Sequence, residues 1–298
     1  MSTPSRPVLG IFWMFVTGLC FVAVTALVKY SAQNLPAAQA AFLRYVLGLI
    51  FLLPALGALR RAQLGVREWT LFSLRGVVHT IGVTLWFYAM TRIPIAEVTA
   101  LNYLSPVYVT LGAVLFLGER LALRRIAAVM VAFLGALLIL RPGFRELDLG
   151  HFAMLGTALM FGAGYLLAKK MSGEVAASVV VAMLSITVTL GLAPLAWSVW
   201  VTPSWNDIGW MFLVACFATA GHYTMTLAFA AAPVTVTQPV TFLQLIWAVL
   251  LGWIVFAEDP DLWVILGGII ILAAVCFITW REAVLRRREI TPAAVPKG

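Results

Sequence analysis

Val8–Val28 contains no charged side chain, and apolar stretches of similar length recur along the chain with only a few residues between them. About 20 consecutive apolar residues cross the hydrocarbon core of a bilayer as a helix. Inside hydrocarbon every backbone amide needs a partner from its own segment or from a closed barrel. Barrel strands would alternate apolar and polar over about 10 residues, and no segment here alternates in that way. Composition agrees with helices. Hydrophobic residues make up 63% of the chain and charged residues 11%, against roughly 45–50% and about 25% in soluble domains. The chain reads as an all-α integral membrane protein.

Ten spans fit the sequence: Val8–Val28, Pro36–Leu56, Trp69–Met90, Pro94–Leu117, Leu121–Leu140, Gly150–Ala168, Val175–Val199, Trp205–Ala230, Val234–Phe256 and Leu262–Trp280. The short connections make consecutive helices antiparallel neighbours. Basic residues then sort by side. Arg6, Arg60, Arg61, Arg67, Arg120, Arg124, Arg125, Lys169, Lys170, Arg281, Arg286, Arg287, Arg288 and Lys297 share one side, whereas Lys29, Arg92, Arg141 and Arg145 share the other. Basic loops stay in the cytoplasm, so both termini are expected there, and the formal charge of +8 belongs to those loops rather than to a nucleic-acid site. The first span has no small-residue cleavage site and is followed by many others, which marks it as retained rather than as a signal peptide. Cys20, Cys216 and Cys276 all lie in apolar runs, and no disulfide framework or metal pattern is visible.

The chain is also internally duplicated. Gly82, Ala89, Pro94 and Glu119 fall on Gly221, Ala228, Pro233 and Glu258 at one constant offset, and at an offset one residue larger Gly10, Thr17, Phe21 and Lys29 fall on Gly150, Thr157, Phe161 and Lys169. Each copy holds five spans. An odd number turns the second copy over, and inverted repeats with a solute site near the midplane are a recurrent carrier design. The organisation expected is a first repeat over 8–141, a second over 150–281 and a basic cytoplasmic tail over 282–298.

The two five-helix repeats, the Arg44-Tyr45-Val46-Leu47-Gly48 stretch in span two, Leu117-Gly118-Glu119, and Ile139-Leu140-Arg141-Pro142-Gly143 closing span five resemble the EamA-type, ten-helix branch of the drug/metabolite transporter superfamily. The second copy departs from the pattern, with Phe256-Ala257-Glu258 lacking the glycine and Leu184 standing where Arg44 would repeat. The resemblance implies a multi-pass inner-membrane carrier of a small organic solute, with no cofactor, and a fifth and tenth helix away from the solute path. Riboflavin uptake is the best match among similar members. S-adenosylmethionine, amino acids or drugs are the alternatives. A membrane-embedded enzyme is the rival of another class, but no converging nucleophile and base can be found, and no G-x-x-x-x-G-K phosphate loop is present.

Polar groups inside spans are costly unless they face a partner or water. In span three Arg75, His79, Gly82 and Trp86 recur at the spacing of one helical face. Asn102 and Ser105, with Tyr103 beside them, mark span four, and His222 with Tyr223 marks span eight. Gln244 and Trp247 mark span nine, and Arg44 sits about midway along span two. Together His79, Trp86, Asn102, Tyr103, His222, Tyr223, Gln244, Trp247 and Arg44 are the candidate solute-binding residues. Each has a plainer reading. Asn102 and Gln244 could bond a neighbouring helix, Arg75 and Lys29 could snorkel to the membrane edges, and the tryptophans could be packing or interface anchors. Arg44 could pair with helix-end carbonyls. Glu119 and Glu258 read as helix-end fixtures that cap or pair with nearby basic groups. No acid falls deep inside a span by this division, so a carboxylate proton relay is not expected. Small residues in spans five and ten, including Gly135, Gly267 and Gly268, suit tight helix packing or a homodimer contact.

Overall fold

The computed structural model describes residues 6–31, 34–117, 123–171, 175, 177–232 and 237–290. Glu119 and Pro233 therefore lie outside the described residues. Helices follow one another in the order α1 (Pro7–Ser31), α2 (Ala37–Gly48), α3 (Leu56–Arg61), α4 (Val66–Met90), α5 (Ile95–Asn102), α6 (Ser105–Leu117), α7 (Leu123–Leu140), α8 (Leu149–Met171), α9 (Ala177–Ser198), α10 (Trp205–Ala231), α11 (Phe242–Phe256) and α12 (Leu262–Ile290). Among the described residues there is no β-strand beyond an isolated bridge between Pro142 and Arg145. Among the described residues seven helices are long and apolar enough to cross a membrane unaided. The other spans are shorter because they are interrupted.

Span two is α2, a 3₁₀ stretch over Leu49–Ala55, and α3. Span four breaks after Asn102 and resumes at Ser105. Span nine opens with a 3₁₀ turn, Gln238–Thr241, before α11. At the offset of the repeat these last two interruptions fall next to each other rather than on each other, since Gln238–Thr241 corresponds to 99–102. A proline sits at each, Pro106 at the second position of α6 and Pro239 within the 3₁₀ turn. Proline has no amide to continue a helix and suits only its first turn.

The most extensive helix pairs all join the two repeats: α1 with α10, α4 with α8, and α7 with α12. The first two use the same device. Gly82 on α4 lies against Phe161 of α8, where an added Cβ would meet the ring at 2.9 Å, and Gly221 on α10 lies against Phe21 of α1, where the corresponding contact is 3.2 Å. The duplicated glycines of the sequence are thus the seats for the duplicated phenylalanines. The third pair crosses at glycines, since a Cβ on Gly135 would stand 2.8 Å from the Gly267 carbonyl and one on Gly267 would stand 2.6 Å from the Gly135 carbonyl. The small-residue stripes of spans five and ten are used to pack these helices on each other.

The Leu-Gly-Glu pattern acquires a physical meaning from its imperfect copy. Ala257 ends α11 in the left-handed conformation, φ 53°, and the Glu258 amide folds back onto the Gly252 carbonyl at 3.0 Å. This is the cap position where glycine is preferred. An L residue costs about 1–2 kcal/mol there.

Two substitutions test this packing by thermal unfolding of purified protein in detergent. Gly267→Val should lower stability by about 1–3 kcal/mol, the usual cost of forcing extra atoms into a filled contact. Ala257→Gly should raise it by about 0.5–1 kcal/mol, relief of the left-handed strain being partly offset by the freer unfolded chain.

Candidate functional site

The two interrupted helices face each other. At the break in span four, the Tyr103 and Leu104 amides bond three residues back, to Ala100 and Leu101, at 3.2 and 3.1 Å. The buried Tyr103 hydroxyl donates to the Thr241 carbonyl at 2.8 Å. A phenol from one break therefore satisfies a backbone oxygen beside the other, as an interior at membrane depth requires. Asn102 is half-buried there, with Ser105 Oγ donating weakly to its Oδ1 at 3.4 Å.

A second group gathers around His79. Tyr45 Oη lies 2.9 Å from His79 Nε2, and the imidazole stacks on Phe161, ring centroids 4.9 Å apart. His222, edge-on to Phe21 at 5.2 Å, is within electrostatic reach of His79, as are Arg44 and Arg75. Tyr165 lies beside Arg75 and Tyr45. The Arg44 guanidinium rests over the Tyr45 ring, 4.1 Å from its centroid. Arg75 Nη1 donates to the Val180 carbonyl at 3.3 Å. Tyr165 stays half exposed, and His222 is exposed as well, although both lie deep in the bundle.

The structure thus brings Arg44, His79 and His222 into one group and places Asn102 and Tyr103 at the break. The remaining candidates lie apart from His79. Gln244 faces Gly18 of α1, with 4.0 Å between their β-carbon positions, and Trp247 meets Phe15 of α1 edge-on at 6.5 Å. Trp86 is half-buried against the main apolar core and edge-on to its neighbour Phe87. Tyr223 is 66% exposed. Sequence reasoning missed Tyr45, Tyr165 and the two phenylalanines. Tyr45 adjoins Arg44 in the quoted stretch, and Phe21 and Phe161 are among the residues the repeat preserves, so both signals were present.

The end of the bundle bearing Pro94 is tied together by charge. Lys29 Nζ lies 2.5 Å from Glu258 Oε1 and also donates to the Ile93 carbonyl at 2.9 Å. Glu258 Oε2 accepts from the first amide of α5, Ile95, at 3.0 Å. Both residues are engaged at helix ends, and Lys29 has a carboxylate partner rather than simply snorkelling. Arg141 pairs with Asp261.

One acid is buried although it lies at a span end. Glu97, in the first turn of α5, is only 3% exposed. Arg145 grips it with both terminal nitrogens at 2.8 and 2.9 Å. His151 Nε2, from the start of α8, reaches Glu97 Oε2 at 2.6 Å, and Arg145 Nη2 lies 2.7 Å from that same ring nitrogen. The hydrogen bonds to Glu97 hold the Arg145 guanidinium above its ordinary value. Helix N-termini favour carboxylates, and the burial comes from the partner helix, which no local pattern reveals.

Three comparisons bear on what such a molecule is. The model of the EamA-like transporter family matches residues 8–141 and again 148–280. Proteins named riboflavin transporter from Rhizobium johnstonii and Vibrio cholerae are 32% and 31% identical, each over 97% of this chain, covering 96% and 99% of their own lengths. A pseudopaline exporter of Pseudomonas aeruginosa is 29% identical over 89% of this chain and 94% of its own. A crystal structure superposes with a TM-score of 0.61 over 93% of this chain and 98% of that one at 18% identity, which speaks to the fold alone.

Removing one member of a buried ion pair leaves the others uncompensated, at about 3–5 kcal/mol. Glu97→Gln should therefore destabilise the protein far more than removing the exposed Arg92–Asp148 contact, which spans 3.9 Å. Surface pairs of that kind contribute about 0–1 kcal/mol. Thermal unfolding of Glu97→Gln beside Arg92→Gln checks the contrast.

Proposed function

The chain belongs to the EamA-like transporter family, and from that premise we propose that it takes up a flat heterocyclic metabolite, riboflavin before others, by alternating access across the bacterial inner membrane. It is a transporter and not an enzyme, and its many apolar helices make it a multi-pass inner-membrane protein. The observation that carries the reading is the meeting of two interrupted helices, joined from Tyr103 to Thr241, in one bundle with the His79 group. Discontinuous helices at the repeat interface are where carriers of this design hold their solutes. Aromatic faces at Phe21 and Phe161, with imidazoles against them, suit a planar ring. The two relatives named riboflavin transporter, each above 30% identity over nearly the whole chain, support flavin as that ring.

The charge bias supports an arrangement with the Pro94 end outside and both termini in the cytoplasm. On that reading Lys29–Glu258, Arg141–Asp261 and the Glu97–Arg145–His151 group would hold the outer end shut. Transport would open these ties and close the opposite end. Asn102, Tyr103, Gln244 and Trp247 on the interrupted helices, with Trp86 and Tyr223 nearby in sequence, would contact solute as it passes Arg44, His79 and His222. S-adenosylmethionine and aromatic amino acids are the substrates to set against riboflavin.

Uptake of labelled riboflavin into proteoliposomes should saturate and exceed uptake of labelled S-adenosylmethionine or tryptophan. In a His79→Ala, Gln244→Ala double variant, present at wild-type level, it should fall at least tenfold. Unchanged uptake by that variant would sink the site assignment. Preference for either competitor would replace riboflavin as the substrate.

A further inference from the structure

Arginine keeps its charge in any protein environment, and charges at membrane depth need partners. Arg44 lies in the middle of α2 and Arg75 nine residues into α4. The chain has no acidic residue at all before Glu68. Arg75 lies in electrostatic reach of the phenols of Tyr165 and Tyr45, and both arginines lie in reach of His79 and His222. The ion pairs Lys29–Glu258, Arg92–Asp148, Arg141–Asp261 and the Glu97–Arg145–His151 group lie elsewhere, at the Pro94 end. Arg44 and Arg75 thus bring two positive charges to this group without an ion-pair partner among the described residues.

Its hydrogen bonds are incomplete in the same sense. Arg75 Nε is buried with no partner, and the bond from Nη1 to Val180 is long, at 3.3 Å. Arg44 has the ring of Tyr45 beneath it, which offers a cation–π contact but no acceptor for the guanidinium fork. A planar fork with open donors matches the oxygens of carboxylate and phosphate. Tyr165 and His222 keep accessible surface in the same group, and the rings of Phe21, Phe161 and His79 stand beside them.

We propose that Arg44 and Arg75 bind an anionic oxygen group, phosphate or carboxylate, that arrives either attached to the transported ring or as a free anion beside it. This deepens the solute-site reading above and rests on it for the ring. Two guanidiniums held at membrane depth by α2 and α4 form the anion subsite, and the stacked histidine and phenylalanines form the wall for the ring. A solute with both features would bind more tightly than riboflavin, which has only one of them.

The test uses the purified full-length protein at constant ionic strength, with equilibrium binding and thermal shift as readouts. Riboflavin, flavin mononucleotide, inorganic phosphate and succinate are the probes. Flavin mononucleotide should bind at least tenfold more tightly than riboflavin, and Arg44→Gln or Arg75→Gln should erase that advantage, because charge-assisted bonds are the part removed. If phosphate competes with flavin mononucleotide, the anion belongs to the solute. If phosphate instead tightens riboflavin binding, the anion is free, and the subsite stands in either case. Should neither flavin bind while phosphate or succinate still stabilises wild type and not the glutamine substitutions, the flavin reading fails and the anion subsite survives. Equal binding of both flavins, with phosphate and succinate stabilising wild type no more than Arg44→Gln and Arg75→Gln, overturns the inference. Should the substituted proteins fail to fold, modification of wild-type Arg44 and Arg75 by phenylglyoxal, read by mass spectrometry, decides it. Protection by phosphate or succinate supports the subsite and its absence overturns it.

Discussion

Within a bilayer a backbone amide without a partner costs several kcal/mol, and this constraint explains where the chain departs from plain helices. Interruptions at Tyr103–Leu104 and at Gln238–Thr241 are tolerated because they meet each other inside the bundle, with the Tyr103 hydroxyl on the Thr241 carbonyl. Neither break could face lipid. The inverted repeat meets the requirement directly, since one unit used twice puts two breaks in corresponding helices that can face across the repeat interface. The rest of the bundle surrounds that meeting point, with α1 on α10 and α4 on α8 bringing the two copies into contact.

Charge is distributed by the same logic. Where water is near, at the Pro94 end, acids and bases meet in pairs that join residues distant in sequence, such as Lys29 with Glu258 and Arg141 with Asp261. At depth only bases are found among the described residues. A partly buried pair at one end and unbalanced arginines at the centre are two different kinds of site. The first makes its own bonds, whereas the second lacks acceptors and is built to receive them.

The fold was legible because hydrophobic runs, turn residues and the basic bias are local, and the repeat multiplies each signal. Helix interruptions were less so. Pro106 and Pro239 were visible, but a proline near a helix start reads equally as a helix beginning, and only packing against the other copy separates the two. The candidate site was half legible. Arg44, His79 and His222 stood out because a polar group in an apolar run is conspicuous at any register. Gln244 and Trp247 shared that conspicuousness yet turned toward α1, since helical rotation is set by neighbours. Glu97 escaped notice altogether, as its burial is supplied by Arg145 and His151 from the loop and helix of the second repeat.

The pairing of Gly82 with Phe161 and of Gly221 with Phe21 carries a statement about descent. Each glycine is filled by a ring from the opposite copy, so neither half completes its own packing. A single five-helix ancestor would have left every such seat empty until a second copy, inserted upside down, supplied the ring. The contacts that now hold one chain together are therefore those that would have held two identical chains together as an antiparallel pair before their genes were joined.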